Sequence, residues 1–98
     1  MDAARARVAA ALAEVELRPP TLPVYCGLTG RPYEGVEQMR ELLPKQLVEP
    51  VLWEECVRHV LTTHTPAACF EVGPGKLLKA MMRRIDVGAW NTMKCIEA

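Results

Sequence analysis

The stretch Ala68-Cys69-Phe70-Glu71-Val72-Gly73-Pro74-Gly75-Lys76-Leu77-Leu78-Lys79-Ala80-Met81-Met82-Arg83-Arg84-Ile85 decides the fold class. Cys69, Phe70 and Val72 have the bulk that suits a short buried strand. Gly73-Pro74-Gly75 cannot continue it, because proline lacks the ladder donor and glycine frees the backbone. From Lys76 onward Leu77, Ala80, Met81 and Ile85 recur at helical spacing, with Lys76, Lys79, Arg83 and Arg84 towards the other side. Strand, tight turn and packed helix make half of a βα unit, so the expected class is α/β.

The remaining composition agrees with one globular piece. The chain has 98 residues, half of them hydrophobic, and 12 basic residues balance 12 acidic ones. That balance speaks against a disordered tail or a basic nucleic-acid binder, and no apolar run reaches the ~20 residues that span a bilayer. Arg5 and Arg7 before Val8-Ala9-Ala10-Ala11-Leu12-Ala13 faintly echo a signal peptide, but Glu14 and Glu16 follow at once. The sequence contains no serine.

In chain order, residues 2–17 read as a helix with Asp2 at its positive end and Ala4, Val8, Ala11, Leu12 and Val15 on one face. Arg18-Pro19-Pro20 stops it. Leu22 to Leu28 is nearly all apolar, the pattern of a strand covered on both faces. Thr29-Gly30-Arg31-Pro32 turns the chain. A second helix runs from Val36 to Leu43 and continues, kinked at Pro44, to Leu47. A third, about 51–63, carries Trp53, Cys56, Val57, Val60 and Leu61 on one stripe, with Glu54–Arg58 and Glu55–His59 at i, i+4 spacing opposite. After the strand-turn-helix, residues 89–96 have room for a short strand. Buried strands joined by helices should run parallel, and two such strands alone make a poor sheet, so more strands are expected to complete it.

Several motifs invite chemistry. Gly73-Pro74-Gly75-Lys76 at a helix start suggests a phosphate cradle, but the full G-x-x-x-x-G-K-[ST] loop is missing and Pro74 removes a donor, which favours a structural turn. Cys56, His59, His64 and Cys69 are spaced C-x2-H-x4-H-x4-C, a zinc-knuckle-like set opposed by the apolar periodicity around both cysteines. Cys26 and Cys95 pair with nothing in sequence, so the four cysteines read as reduced core thiols of an intracellular protein. Gln46 falls either on the apolar side, between Met39 and Leu42, or in water if Pro44 shifts the phase; a buried amide must find partners. With no serine, two aspartates (Asp2 and Asp86) and two histidines, no Ser-His-Asp set fits inside the chain.

Three segments carry a family resemblance: Pro23-Val24-Tyr25-Cys26-Gly27-Leu28-Thr29-Gly30, Gln46-Leu47-Val48-Glu49-Pro50-Val51-Leu52-Trp53, and Phe70-Glu71-Val72-Gly73-Pro74-Gly75-Lys76. In order and spacing they resemble the C-terminal part of malonyl-CoA:acyl-carrier-protein transacylases and the related acyltransferase domains of fatty acid and polyketide synthases. The tail with Ala89-Trp90 is weakly similar to organellar members. The resemblance implies that residues 1–98 are the C-terminal segment of an acyltransferase domain. The implied fold is part of a three-layer, parallel-sheet, α/β-hydrolase-like core without the nucleophile elbow or the inserted ferredoxin-like subdomain.

It implies malonyl transfer from coenzyme A to the phosphopantetheine thiol of acyl carrier protein, in fatty acid biosynthesis. The family's serine, arginine and histidine all lie upstream; Met1-Asp2-Ala3-Ala4 matches the segment just after that histidine. Gln46 matches the glutamine that orients the histidine. Gly27 stands where asparagine is usual, and Pro44 where a helix-compatible residue is usual. No cofactor is implied beyond the thioester substrate and the carrier's own phosphopantetheine. The partners it implies are acyl carrier protein, malonyl-CoA and the upstream part of the same domain, with neither nucleic acid nor membrane expected. The expected location is intracellular: cytoplasm, mitochondrial matrix or plastid. The alternative is a non-catalytic module that docks acyl carrier protein through Lys76, Lys79, Arg83 and Arg84; the zinc-knuckle reading is a remote third.

Overall fold

A computed structural model describes residues 2–97. Met1 and the side chain of Asp2, expected at the positive helix end, fall outside what is described. The structure is mixed α/β with two small sheets. Contacts divide it into two compact units, residues 1–56 and 57–98.

In the first unit, α1 spans Asp2–Glu14 and stops three residues short of the expected end. The Arg40 guanidinium donates to the carbonyls of Leu12 and Val15, satisfying groups that a helix C-terminus leaves open. Ala4, Val8 and Leu12 are half-buried, whereas Ala11 and Val15 on the expected face are exposed. β1 (Tyr25–Cys26) and β2 (Arg31–Pro32) then form an antiparallel hairpin. This corrects the expectation of a long covered strand over 22–28, since Leu22 and Val24 are exposed. The reason is the turn at Thr29-Gly30: Gly30 has φ +69° and its N–H bonds the Cys26 carbonyl at 3.0 Å, folding the chain straight back.

Next, α2 covers Val36–Leu42, and Pro44 starts a 3-10 turn over Pro44–Leu47, where its missing N–H is harmless. The expected kink at Pro44 is therefore present, as a change of helix type. α3 spans Trp53–His64, crossing the unit boundary, and its stripe of Cys56, Val57, Val60 and Leu61 is buried or half-buried as expected. Trp53 is half-buried with its indole N–H enclosed and without an acceptor among the described residues.

The second unit contains the strand-turn-helix. β3 is Phe70–Val72, α4 is Leu77–Ile85, α5 is Val87–Thr92 and β4 is Lys94–Ile96. β3 and β4 pair in parallel, Glu71 opposite Cys95, so the tail does supply a strand. α4 and α5 together form the long crossover that a parallel pair requires. The partner differs from expectation: β3 pairs with the tail, and β1 pairs with β2, in separate sheets.

Burial in β3 is inverted. Phe70 and Val72 are exposed, and Glu71, at 6% exposure, is the inward residue. The cause is helix capping. Lys76 precedes α4 without a side-chain cap, and the Glu71 carboxylate fills that role, accepting N–H bonds from Leu78 (3.1 Å) and Lys79 (2.9 Å). Gly73 (φ +130°) and Gly75 (φ +84°) give the reversal that brings strand and helix start together. The same bonds answer the phosphate-cradle reading, because those amides are already occupied by Glu71. They also set the rotation of α4. Met82 is buried and Leu78 and Ile85 are half-buried, while Leu77, Ala80 and Met81 of the expected stripe are exposed. Among the described residues no helix is long and apolar enough to cross a membrane.

Replacing Glu71 by alanine removes both acceptors and is expected to destabilise the chain by about 1–3 kcal/mol. Glu71→Gln, which keeps one acceptor, is expected to lose less. Denaturant titration of the variants checks both, and equal stability of Glu71→Ala and wild type contradicts the capping role.

Candidate functional site

The polar centre of the first unit grows from the hairpin. Tyr25-Cys26 leads into the turn, where the Thr29 hydroxyl takes the Arg31 N–H at 3.2 Å. Tyr33 N–H bonds the Val24 carbonyl at 2.9 Å, which holds Tyr33 beyond the second strand at a fixed height. The Gly27 carbonyl accepts the Leu52 N–H at 2.7 Å, tying the turn to the start of α3. A Cβ at Gly27 would lie 3.1 Å from Val51 Cγ1, so glycine, where the resemblance leads one to expect asparagine, leaves room for Val51.

Within this frame Gln46, carried on the 3-10 turn, is half-buried. Its Nε2 donates to the Tyr33 hydroxyl and lies 3.8 Å from Cys26 Sγ. Of the two placements open at the sequence level, the apolar-side one holds in part: the amide is drawn inward and partnered. Cys26 is fully buried. Burial alone raises a thiol, but the N–H groups of Leu28 and Thr29 and the hydroxyls of Tyr33 and Thr29 surround the sulfur, and together they bring it below its ordinary value. Tyr33 is pushed up to about 12, by burial first and then by the Cys26 sulfur that takes its proton; the Gln46 amide partly offsets this. Cys56, whose Sγ lies 3.5 Å from the Cys26 carbonyl, is raised by burial and by the neighbouring Cys26.

Sequence reasoning singled out Gln46 but missed Cys26 and Tyr33. Sequence reading looked for a cation beside a perturbed thiol, whereas at the fully buried Cys26 neutral N–H and O–H donors lower it. Only the Thr-Gly turn beside Cys26 hinted at this, since the other partners stand 13 and 20 residues away in sequence from Gln46.

The other candidates stay apart from this centre. All four cysteines are free thiols. Cys56, His59, His64 and Cys69 do not form a site, because among the described residues no group of three or more His, Cys, Asp or Glu could hold a metal ion. In the second unit Lys76, Arg83 and Arg84 are exposed and Lys79 is half-buried. The Arg83 guanidinium lies 4.9 Å from the centre of the Trp90 ring, a cation–π contact. A shallow cavity of about 360 Å³ is bordered by Leu61, Thr65, Asp86 and Thr92, and the Asp86 carboxylate there is engaged in capping α5 through the Ala89 N–H at 2.8 Å.

No protein-family model matches the chain. It is similar to the probable mitochondrial malonyl-CoA-acyl carrier protein transacylase of Drosophila melanogaster, with 33% identity over 82 residues, covering 81% of this chain and 22% of that protein. It is 29% identical over 90 residues to the human mitochondrial malonyl-CoA-acyl carrier protein transacylase, covering 89% of this chain and 23% of that protein. The Escherichia coli K12 malonyl CoA-acyl carrier protein transacylase is 31% identical over 85 residues, covering 87% of this chain and 27% of the bacterial protein. The chain thus spans about a quarter of the length of these relatives, and the stretch it matches is their C-terminal part.

The chain has two tyrosines, so an ultraviolet titration can resolve Tyr33. Its phenol is expected to ionise at about 12. Cys26→Ala removes the sulfur that takes its proton and the charge that opposes phenolate, so Tyr33 is expected to ionise at lower pH in that variant. An unchanged midpoint contradicts the Tyr33–Cys26 contact.

Proposed function

We propose that this chain, which resembles the C-terminal part of the malonyl-CoA-acyl carrier protein transacylases, supplies that part of an acyl-transfer core. The observation that carries the reading is the similarity itself, which extends over 81–89% of the chain. The transfer would run from malonyl-CoA to the phosphopantetheine thiol of acyl carrier protein, within fatty acid biosynthesis. A base-activated serine performs it, and the chain, with no serine, does not bring that nucleophile. Its contribution is the half-buried Gln46, held at the polar centre so that its amide can orient a histidine base. Reduced thiols are compatible with an intracellular location such as the cytoplasm or the mitochondrial matrix.

The partial parallel sheet fits an α/β-hydrolase-like core completed by further strands. β3 and β4 form an isolated parallel pair, and Phe70, Val72 and Ile96 are exposed on it. Parallel sheets normally have both faces covered, and exposed apolar residues of this kind mark a contact surface. A second reading, docking of acyl carrier protein, is favoured by the exposure of Lys76, Arg83 and Arg84, three cations available to an acidic partner.

The isolated chain is expected to show no malonyl transfer above buffer in a thioester-exchange assay. Supplied with a polypeptide carrying the serine, arginine and histidine of such a domain, it is expected to restore transfer. Gln46→Ala should then lower the rate by on the order of a hundredfold through loss of base orientation. Turnover by the chain alone contradicts the proposal, as does failure of a stable complemented complex to transfer malonyl.

A further inference from the structure

α4 serves the core with one stripe, Leu78, Met82 and Ile85, and carries another on its outer side. Leu77, Ala80, Met81 and Arg84 fall at i, i+3, i+4 and i+7, the spacing of a single helix face. All four are exposed, Leu77 at 72% and Met81 at 37%. Lys76, Lys79 and Arg83 follow one flank of this outer stripe by the same spacing. Apolar residues grouped on an outer helix face, beyond those the core already uses, mark a surface made for contact.

The cations beside them lack counter-charges. Between Val72 and Ile96 the chain has Lys76, Lys79, Arg83, Arg84 and Lys94 as its basic residues, and Asp86 as its acidic one. Asp86 is engaged by the Ala89 N–H at 2.8 Å, and among the described residues none of those five cations forms an ion pair. Arg83 is instead held against the half-buried Trp90, 4.9 Å from the ring centre.

This mixture selects among occupants. Further strands of a domain core suit the apolar face of Phe70, Val72 and Ile96, but here they would bury Arg84 without a carboxylate, which is costly. An acidic protein answers the cations and gives Leu77, Ala80 and Met81 nothing to do. An anionic lipid surface answers both. Its headgroups offset the cations, its boundary with the acyl chains takes apolar side chains, and the long arms of lysine and arginine reach back to the headgroups. An indole such as that of Trp90 favours the same boundary.

We propose that the outer stripe of α4 docks the chain peripherally on an anionic lipid surface, a contact that the family resemblance does not lead one to expect. Leu77 and Met81 enter the boundary region, and Lys76, Lys79, Arg83 and Arg84 hold the headgroups. The helix lies along the surface and does not cross it.

Co-sedimentation of the full chain with vesicles is the test. Equimolar phosphatidylcholine and phosphatidylserine vesicles should carry the chain down, phosphatidylcholine vesicles should not, and added salt should release it. Arg84→Gln should weaken partition about fivefold, the effect of one cation near such a surface. Leu77→Gln should weaken it about tenfold, and Leu77→Met should bind like wild type. Met81→Gln repeats the reading at a second exposed position. Arg7→Gln, on α1, should change nothing.

Failure to sediment with the anionic vesicles overturns the proposal, as does equal binding to both vesicle types. Undiminished binding by Leu77→Gln and Met81→Gln overturns it too, since charge alone is then at work and an acidic protein becomes the better occupant. Binding lost in Arg7→Gln puts the contact on the other unit and likewise defeats it. None of these outcomes involves malonyl transfer, so the acyl-transfer reading stands or falls separately.

Discussion

Backbone N–H groups at turns and helix starts must find an acceptor, and both units of this chain are organised around how they do so. In the second unit the acceptor is the Glu71 carboxylate, which leaves its strand to serve the Leu78 and Lys79 amides. In the first it is the Cys26 carbonyl, to which the Gly30 amide turns at 3.0 Å. Each acceptor is buried, so each is costly unless fully partnered. Each also imposes direction on what surrounds it. Glu71 fixes the rotation of α4, and the Cys26 carbonyl folds the chain back into the β1–β2 hairpin.

The order of elements was legible because helix periodicity and proline or glycine breaks are local signals. α1, the break at Pro44 and the apolar stripe of α3 follow directly from spacing. Pairing was not legible, because it depends on distant partners. The Leu22–Leu28 run looked like a covered strand, and only the Gly30 turn makes its end a hairpin. Phe70 and Val72 looked inward by hydrophobicity, yet the unmet amides of α4 pull Glu71 inside instead. α4 itself carries two overlapping apolar stripes one residue apart, and sequence spacing cannot choose between them.

The site was legible to the extent of one residue. A glutamine among apolar neighbours is conspicuous, and the resemblance gave it a role. Its partners were invisible for a physical reason: a tyrosine after a turn and a cysteine in an apolar run both have ordinary explanations. Their meaning arises only when the hairpin brings hydroxyl, sulfur and amide together.

The parallel pairing of β3 with β4 has a consequence for the chain during synthesis. Phe70–Val72 emerges well before Lys94–Ile96, and the two cannot meet until both intervening helices have folded back. Throughout that interval the Gly73 amide lacks the Ile96 carbonyl it later bonds at 2.8 Å, and the apolar side chains of β3 stand beside unpaired backbone. An unpaired apolar strand is a template for wrong associations. Glu71, already engaged by α4, places a charge in the middle of that template and so guards it until its proper neighbour arrives.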